Sequence, residues 1–495
     1  MKTVAGIDLG TQSMKVVLYD YENKKTVESS SCPMDLISKE DGTREQTTEM
    51  YDNGLKVCFD ALSAEGKASI QAIGVSGQQH GFVPLGADKK PLYNIKLWCD
   101  TSTTEECDIL TKKLGKKAKV AKLVQNYMLT GFTAPKIFWL KRHMPEAFDK
   151  LTYVMLPHDY LNFVLTDTYV MEAGDASGTA LFDSINGEWS KKVCDAIDPK
   201  LIKILPKVIF DDEPAGKVTK EAADKYGIPE GIPVSAGGGD NMMSAIGTGC
   251  VKGGTLTMSM GTSGTLYGFS DKSVSDPENG ISGFCSATNG YLPLLCTMNC
   301  TVASEEIRDL FQLDVRAFDD EASKAEPGCS GVYVLPFFNG ERTPNLPHGR
   351  ASITGMTVAN CSRANIARAA LESAVYSMRG GLESFKSHGF VPTELRLTGG
   401  GAKSPIWRQI VADILDIPVK VPTSSEAAAF GAALQALWCV ETMAGKNVSM
   451  GDICDAHVEL DESKTTLPNA ETVKKYDAAF EEYKKILAQV SPLYL

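Results

Sequence analysis

The sequence predicts an α/β protein built from two domains of related topology, and three observations carry that prediction. The chain has 495 residues, more than one ordinary hydrophobic core accommodates. A strand, a Gly-Thr turn and a returning strand occur at Asp8–Ser13 (DLGTQS) and again at Ser259–Gly264 (SMGTSG), about half the chain apart. The second half then closes with alternating strand and helix patterns, the rhythm of a sheet with crossover helices.

Each element has a local reason. Thr3–Leu9 and Met14–Asp20 read as strands joined by the small, polar connection Gly10-Thr11-Gln12-Ser13. Met50–Leu62 places Tyr51, Leu55, Cys58, Phe59 and Leu62 on one helical face. Ile70–Ser76 reads as a strand that runs into Gly77-Gln78-Gln79-His80-Gly81. Val234–Asn241 (VSAGGGDN) reads as a strand, three glycines and a helix start at Asp240. Clustered glycines at Gly247–Gly253 mark the expected boundary between the domains. Thr255–Met260 and Thr265–Phe269 repeat the hairpin of the first half. Ser362–His388 opens with a capping Ser before a long helical pattern. Glu394–Thr398, Gly399-Gly400-Gly401, a helix from Ser404-Pro405, a strand at Val419–Val421 and an Ala-rich helix at Ser425–Val440 complete the series.

Composition narrows the function. The chain is 43% hydrophobic and 23% charged, as in a soluble globular protein. A net charge of −12 without a dense Lys/Arg cluster argues against a nucleic-acid partner. The 13 cysteines are scattered singly with no CxxC pair, which suits buried thiols in a reducing compartment. Asp8 interrupts the N-terminal apolar run, and no stretch approaches the ~18 apolar residues of a membrane span. No membrane partner and a cytoplasmic location are the expectation.

The polar residues at strand ends are the candidates for chemistry. Gly10, Thr11 and Gln12, with Lys15 beyond them, and Gly261, Thr262 and Ser263 form two turns whose backbone NH groups can converge on an anion. Such a pair suits the phosphate tail of a nucleotide. Asp8 ends an apolar strand, where a carboxylate is costly unless paired or metal-bound, and beside a polyphosphate the economical use is Mg²⁺. Asp240 follows three glycines at a helix start, more than a simple N-cap requires, and is placed to act as a general base. His80, Gln78 and Gln79 offer donors and acceptors for sugar hydroxyls. Trp98 supplies either core packing or an apolar wall, and Asp100 a further acceptor. The polar turn Asp175–Thr179 fits a structural or a sugar-binding role equally. The Gly237–Gly239 run does not match the G-x-G-x-x-G dinucleotide fingerprint, which disfavours a dehydrogenase.

Taken in order, these segments resemble the FGGY carbohydrate kinases, and among them most closely those that phosphorylate xylulose. The resemblance is carried by GIDLGTQSMK (Gly6–Lys15), SGQQHG (Ser76–Gly81), FTAPK (Phe132–Lys136), DASGT (Asp175–Thr179), GGGDN (Gly237–Asn241), MGTSG (Met260–Gly264), GERTP (Gly340–Pro344) and GGGAKSPIWRQ (Gly399–Gln409). It implies two ribonuclease H-like domains around a cleft, as in actin and hexokinase, divided as 1–248 and 249–495. It implies ATP and Mg²⁺, with Asp240 as base and Asp8 holding Mg²⁺ through water. Thr11, Gln12, Lys15, Thr262 and Ser263 would hold phosphates, and Gly400, Gly401 and Ser404 the adenosine. Gln79, His80, Asp240 and Asn241 would hold the ketose, D-xylulose first among the candidates. Ribulose, rhamnulose, gluconate or glycerol as acceptor, or a non-kinase ATPase of the same superfold, are the alternatives. Glycerol kinases resemble one another in an Arg-Glu pair after the glutamine of this loop, where Gln79-His80 stands here. The chain also departs from the family in lacking an Arg after Leu97–Asp100. Family members are often dimers, so a homodimer stays open.

Overall fold

The computed structural model describes residues 1–210 and 213–494. Two mixed sheets form its frame. The first contains β1 (Thr3–Leu9), β2 (Ser13–Asp20), β3 (Lys25–Pro33), β4 (Ile70–Gly77), β5 (Gly216–Lys217) and β6 (Pro233–Val234). Their order is β5-β6-β4-β1-β2-β3, and β7 (Gly238–Gly239) also pairs with β4. The second contains β8 (Thr255–Met260), β9 (Gly264–Gly268), β10 (Ile281–Cys285), β11 (Tyr291–Thr297), β12 (Glu394–Gly399) and β13 (Val419–Lys420), ordered β10-β11-β9-β8-β12-β13.

The central pairings of the two sheets correspond. β1 is antiparallel to β2 and parallel to β4, while β8 is antiparallel to β9 and parallel to β12. This is the ribonuclease H-like order expected twice, with β10 added as an outer strand in the second copy. β1 is apolar because both faces are covered: Val4, Ala5, Ile7 and Leu9 are fully buried. The expected hairpins are present, closed by Gly10 N–H donating to Ser13 O at 3.0 Å and Gly261 N–H to Ser263 O at 3.2 Å.

The helices that matter for the site are α1 (Thr48–Asp60), α2 (Thr133–His143), α3 (Ala173–Ser177), α4 (Asp240–Thr248), α5 (Arg363–Ser387), α6 (Pro405–Leu415) and α7 (Ala427–Met443). Their starts follow local capping. Thr47, Ser362 and Ser404 each accept a backbone N–H of the first turn, from Met50, Asn365 and Trp407. α1 therefore begins two residues earlier than periodicity alone predicts, because Thr47 supplies the cap.

Helix α7 comes from the second half of the chain yet lies on the first sheet. Ala429, Ala432, Ala433 and Ala436 on it are fully buried. The approach is so close that a Cβ on Gly6 would fall 1.9 Å from Ala429 O, and one on Gly74 2.0 Å from Ala432 O. Only glycine at these two strand positions lets the helix backbone rest directly on β1 and β4. α7 in turn packs along α4, which carries Asp240 at its first residue. Among the described residues no helix is long and apolar enough to cross a membrane.

Candidate active site

Three strand ends of the first sheet deliver the central side chains to one place. Asp8 sits at the end of β1, directly paired with Ser76 of β4, whose Oγ donates to Asp8 Oδ1 at 2.9 Å. Asp240 starts α4 immediately after β7, and β7 pairs with the end of β4. Both carboxylates are partly exposed. Burial pushes Asp240 up to about 7, and the negative charge of Asp8 adds to the rise. Asp8 is pushed up to about 6, again by burial, against the Ser76 hydrogen bond and the charge of Lys15. The charge of Asp8 thus opposes ionisation of Asp240, and a divalent cation or a proton relieves such repulsion.

The candidate base is joined to the candidate sugar loop by a continuous chain of hydrogen bonds. Asp240 Oδ1 accepts from Asn241 N at 2.8 Å and from Asn241 Nδ2 at 3.0 Å. Asn241 Nδ2 also donates to Gln79 Oε1 at 2.9 Å. The sequence-predicted trio Gln79, Asp240 and Asn241 is thus brought together.

His80 stands next to it in a left-handed backbone conformation, φ 67°, which a non-glycine residue adopts only under local constraint. The constraint is visible. Lys136 of α2 is fully buried, and its Nζ donates to His80 O at 2.7 Å and Gly131 O at 2.6 Å, while Thr133 Oγ1 donates to His80 O at 3.2 Å. Burial brings Lys136 down to about 7. The His80 ring packs edge-on against Phe132 and tilted on Phe284, with ring centroids 4.8 and 5.7 Å away. Burial and the charges of Lys136 and Arg342 hold the imidazole well below its ordinary range, so it is neutral. A Cβ on Gly178 would fall 2.4 Å from the ring, so glycine there makes room for it.

Other candidates lie elsewhere than the sequence suggests. Gln78 turns inward and is buried, accepting from Thr11 Oγ1 and donating to Gln46 Oε1 and Tyr51 OH. Asp100 is fully buried and takes Lys96 Nζ, Arg44 N, Ser102 N and Ser102 Oγ, so it is a structural acceptor. Asp175 is also fully buried, with Oδ2 bonded to His158 Nδ1 at 2.5 Å. That oxygen is taken by the buried histidine, while Oδ1 has no hydrogen-bond partner among the described residues. Trp98 braces the first hairpin, its Nε1 donating to Thr11 Oγ1 at 3.0 Å.

The hairpin residues Gly10, Thr11, Gln12, Gly261, Thr262 and Ser263 are all partly or fully exposed, as a ligand-binding turn requires. Lys15 on β2 reaches across to Glu426, the residue before α7, at 2.5 Å. The second hairpin is pinned by Cys300 N donating to Thr262 O at 2.9 Å and Thr301 N to Gly261 O at 3.0 Å. Next to it, β12 ends at Gly399, beside Met260 in register. Gly400 is exposed, Gly401 is buried on Met260, and Ser404 Oγ caps α6. The negative charge of Asp240 also acts on Cys296, near the end of β11 in the second half.

Sequence reasoning named Lys136 only within the FTAPK segment and did not single out Glu426. Lys136 carried one signal, a lysine within an otherwise apolar helical stretch.

Comparison with known proteins is consistent along the whole chain. The profile of the FGGY family of carbohydrate kinases, N-terminal domain, matches residues 3–247, and that of its C-terminal domain matches residues 242–440. A xylulose kinase of Haemophilus influenzae is 40% identical over 98% of this chain and 99% of its own. A xylulose kinase of Escherichia coli is 30% identical over 99% of both. Among solved structures, a xylulose kinase of Bifidobacterium adolescentis superposes with a TM-score of 0.83 at 28% identity, covering 97% of this chain and 99% of that one. A ligand-bound xylulose kinase of Lactobacillus acidophilus, at 24% identity, has a TM-score of 0.92 over 100% and 99% and shares the fold. The chain belongs to the FGGY family of carbohydrate kinases.

Proposed function

We propose that this sugar kinase transfers the γ-phosphoryl group of ATP to the terminal hydroxyl of D-xylulose. The observation that carries the reading is the hydrogen-bonded run from Gln79 through Asn241 to Asp240, which ties the sugar loop to a carboxylate of raised proton affinity. The resemblance to xylulose kinases over nearly the full length supports the choice of acceptor.

In this reading Asp240 accepts the proton of the attacking hydroxyl, and the oxygen displaces ADP in line from the γ-phosphorus. Neutral His80 and Gln79 orient the ketose, and Trp98 and Thr11 hold the first hairpin in shape beside it. The two hairpins and Lys15 grip the phosphates, with Lys15 leaving Glu426 for them. Gly400, Gly401 and the residues around Ser404 lie along the adenosine. Asp8 suits Mg²⁺, which keeps most of its waters and takes one or two carboxylates, and the strained pair of Asp8 and Asp240 is the kind of donor set a dication relieves. When bound, Mg²⁺ would neutralise charge on the phosphate oxygens. Closure of the cleft would exclude water as a competing acceptor.

The direct test measures ADP release with a panel of ketoses and polyols. D-xylulose should give the highest kcat/KM. A higher value with ribulose, gluconate or glycerol would replace the acceptor and leave the kinase reading in place.

A further inference from the structure

The strand that leads to Asp240 does not run straight. Val234 pairs with Ile73 of β4 and Gly238 with Ser76, both in parallel, so four steps along one strand are matched by three along the other. One extra residue is thus inserted between β6 and β7, a bulge that ends three residues before Asp240. Backbone groups that leave the ladder at a buried bulge must find other partners. Ser235 N–H still donates to Ile73 O at 2.9 Å, and Ala236 O accepts from Asn162 Nδ2 at 2.8 Å. Gly237 lies in the left-handed region, φ 74°, and a Cβ there would fall 2.6 Å from Val75 O. Both its backbone groups turn to a single side chain. Gly237 N–H donates to Gln435 Oε1 at 2.7 Å, and Gln435 Nε2 donates back to Gly237 O at 3.1 Å. Ser235 Oγ donates to the same Oε1 at 2.8 Å. The Gln435 amide stands in for the strand neighbour that the bulge lacks.

Gln435 is fully buried on α7, within Ala429–Trp438, where every other residue is apolar or glycine. An amide in such a stretch is costly unless its donors and acceptor are used, and an aliphatic residue would cover β1 and β4 as well. Its presence points to the strand it bonds. The same helix also grips the far side of Asp240. α4, which Asp240 opens, lies so close to α7 that a Cβ on Gly431 would fall 1.8 Å from Met243 O, and one on Gly247 2.0 Å from Ala427 O. The bulge before Asp240 and the helix after it are therefore both fixed by one helix of the second half.

We infer that Gln435 is a positioning residue for phosphoryl transfer: it holds the bulge at Gly237 and so sets the direction from which the Asp240 carboxylate meets the acceptor hydroxyl. Being fully buried, it acts through Asp240. The inference rests on the reading of Asp240 as the base and adds what aims it. Without the amide, two buried backbone groups of Gly237 lose their partner, and the strand regains partners by shifting toward regular pairing with β4. Such a shift displaces Asp240, and a displacement of ~1 Å at a reacting group costs about 10²-fold in rate.

The test compares wild type, Gln435→Met and Gln435→Glu by steady-state kinetics with D-xylulose and ATP and by calorimetric binding of D-xylulose. Methionine fills a similar space on an unbranched chain and cannot replace the amide's bonds. In Gln435→Met kcat should fall about 10- to 100-fold, while both KM values and D-xylulose affinity stay within about 3-fold. Burial favours a protonated carboxyl, which accepts and donates as the amide does, so Gln435→Glu should recover most of the lost kcat. Wild-type kcat in Gln435→Met overturns the inference. A raised KM at unchanged kcat also overturns it, as does an equal loss in both variants, the mark of a packing defect. Should Gln435→Met not fold, Ser235→Ala reads the same device by deleting one of the three bonds. It should lower kcat about 3- to 10-fold at constant KM, and an unchanged kcat overturns the inference. Asp240→Asn separates the two levels: wild-type kcat in that variant removes the base assignment itself, whatever the Gln435 variants do.

Discussion

The two sheets repeat one frame but carry different side chains at matching places. At the end of the central strand the first sheet has Asp8 and the second has Ser259, each followed by an apolar residue and a Gly-Thr turn. The neighbouring parallel strand ends at Gly77 in one and Gly399 in the other, in register with Leu9 and Met260. Beyond Gly77 the chain presents Gln79 and His80; beyond Gly399 it presents Gly400 and Gly401. Entering the next helix, Asp240 opens α4 in the first half and Glu426 precedes α7 in the second. The first copy thus keeps acids and polar side chains at these places, and the second keeps bare backbone, which the proposed function assigns to the sugar and to the nucleotide. A repeated backbone supplies two matching Gly-Thr turns, and a handful of different side chains distinguishes their surroundings.

The sharpest way to break this comparison is to neutralise the two matching acids. In the proposed mechanism Asp240 is the general base, so Asp240→Asn should cost about 10³-fold or more in kcat. Glu426→Gln should keep kcat within about 3-fold, because its exposed partner Lys15 remains free for phosphate. Equal losses would dissolve the distinction between the halves.

Gly178→Ala tests the sugar side at smaller cost. A Cβ at 2.4 Å from the His80 ring must displace it, so the KM for D-xylulose should rise about 10-fold while that for ATP holds. A larger effect on ATP would place His80 wrongly.

The proton affinity of the acid pair predicts pH effects of definite sign. The proposed base Asp240 can accept a proton only when ionised, so kcat/KM should fall on acidification below about 7. Asp8→Asn removes a neighbouring negative charge, and the acid limb of whatever activity remains should move to lower pH. An unmoved limb would separate the two carboxylates electrically.

The smallest expected effect is on stability. Asp8 and Asp240 hold protons more tightly folded than unfolded, so the folded state loses stability as pH rises from about 4 through about 7. Both groups are partly exposed, and water screens much of this. Asp240→Asn should therefore raise Tm by only about 1–3 °C at pH 8 and by less at pH 5.

Much of the frame was legible because its causes are local. The apolar run of β1, the capping residues Ser362 and Ser404, and both Gly-Thr hairpins announce themselves within a few residues. Asp8 and Asp240 were legible as isolated carboxylates in settings that make them costly. Direction was not legible. Nothing in Gln78-Gln79-His80 tells that the first glutamine turns into the core and the second to the site, because the strand ends there and its alternation with it. Asp100 looks like an open acceptor until Lys96, Arg44 and Ser102 are seen against it, and Asp175 until one of its oxygens is found on buried His158. The bond from Lys15 to Glu426 spans 411 positions, and the placement of α7 depends on glycines at positions 6 and 74 that a sequence shows only as small residues.

That placement of α7 has a consequence for dissecting the protein. A fragment ending at residue 248 would leave the Val4, Val17 and Ala72 face of the first sheet without the alanine-rich helix that covers it, an adhesive face in water. Cut there, the two pieces should be insoluble when expressed singly and should regain activity when co-expressed, as complementing fragments do. The chain is organised as two copies, but the first sheet is finished only by a helix of the second half.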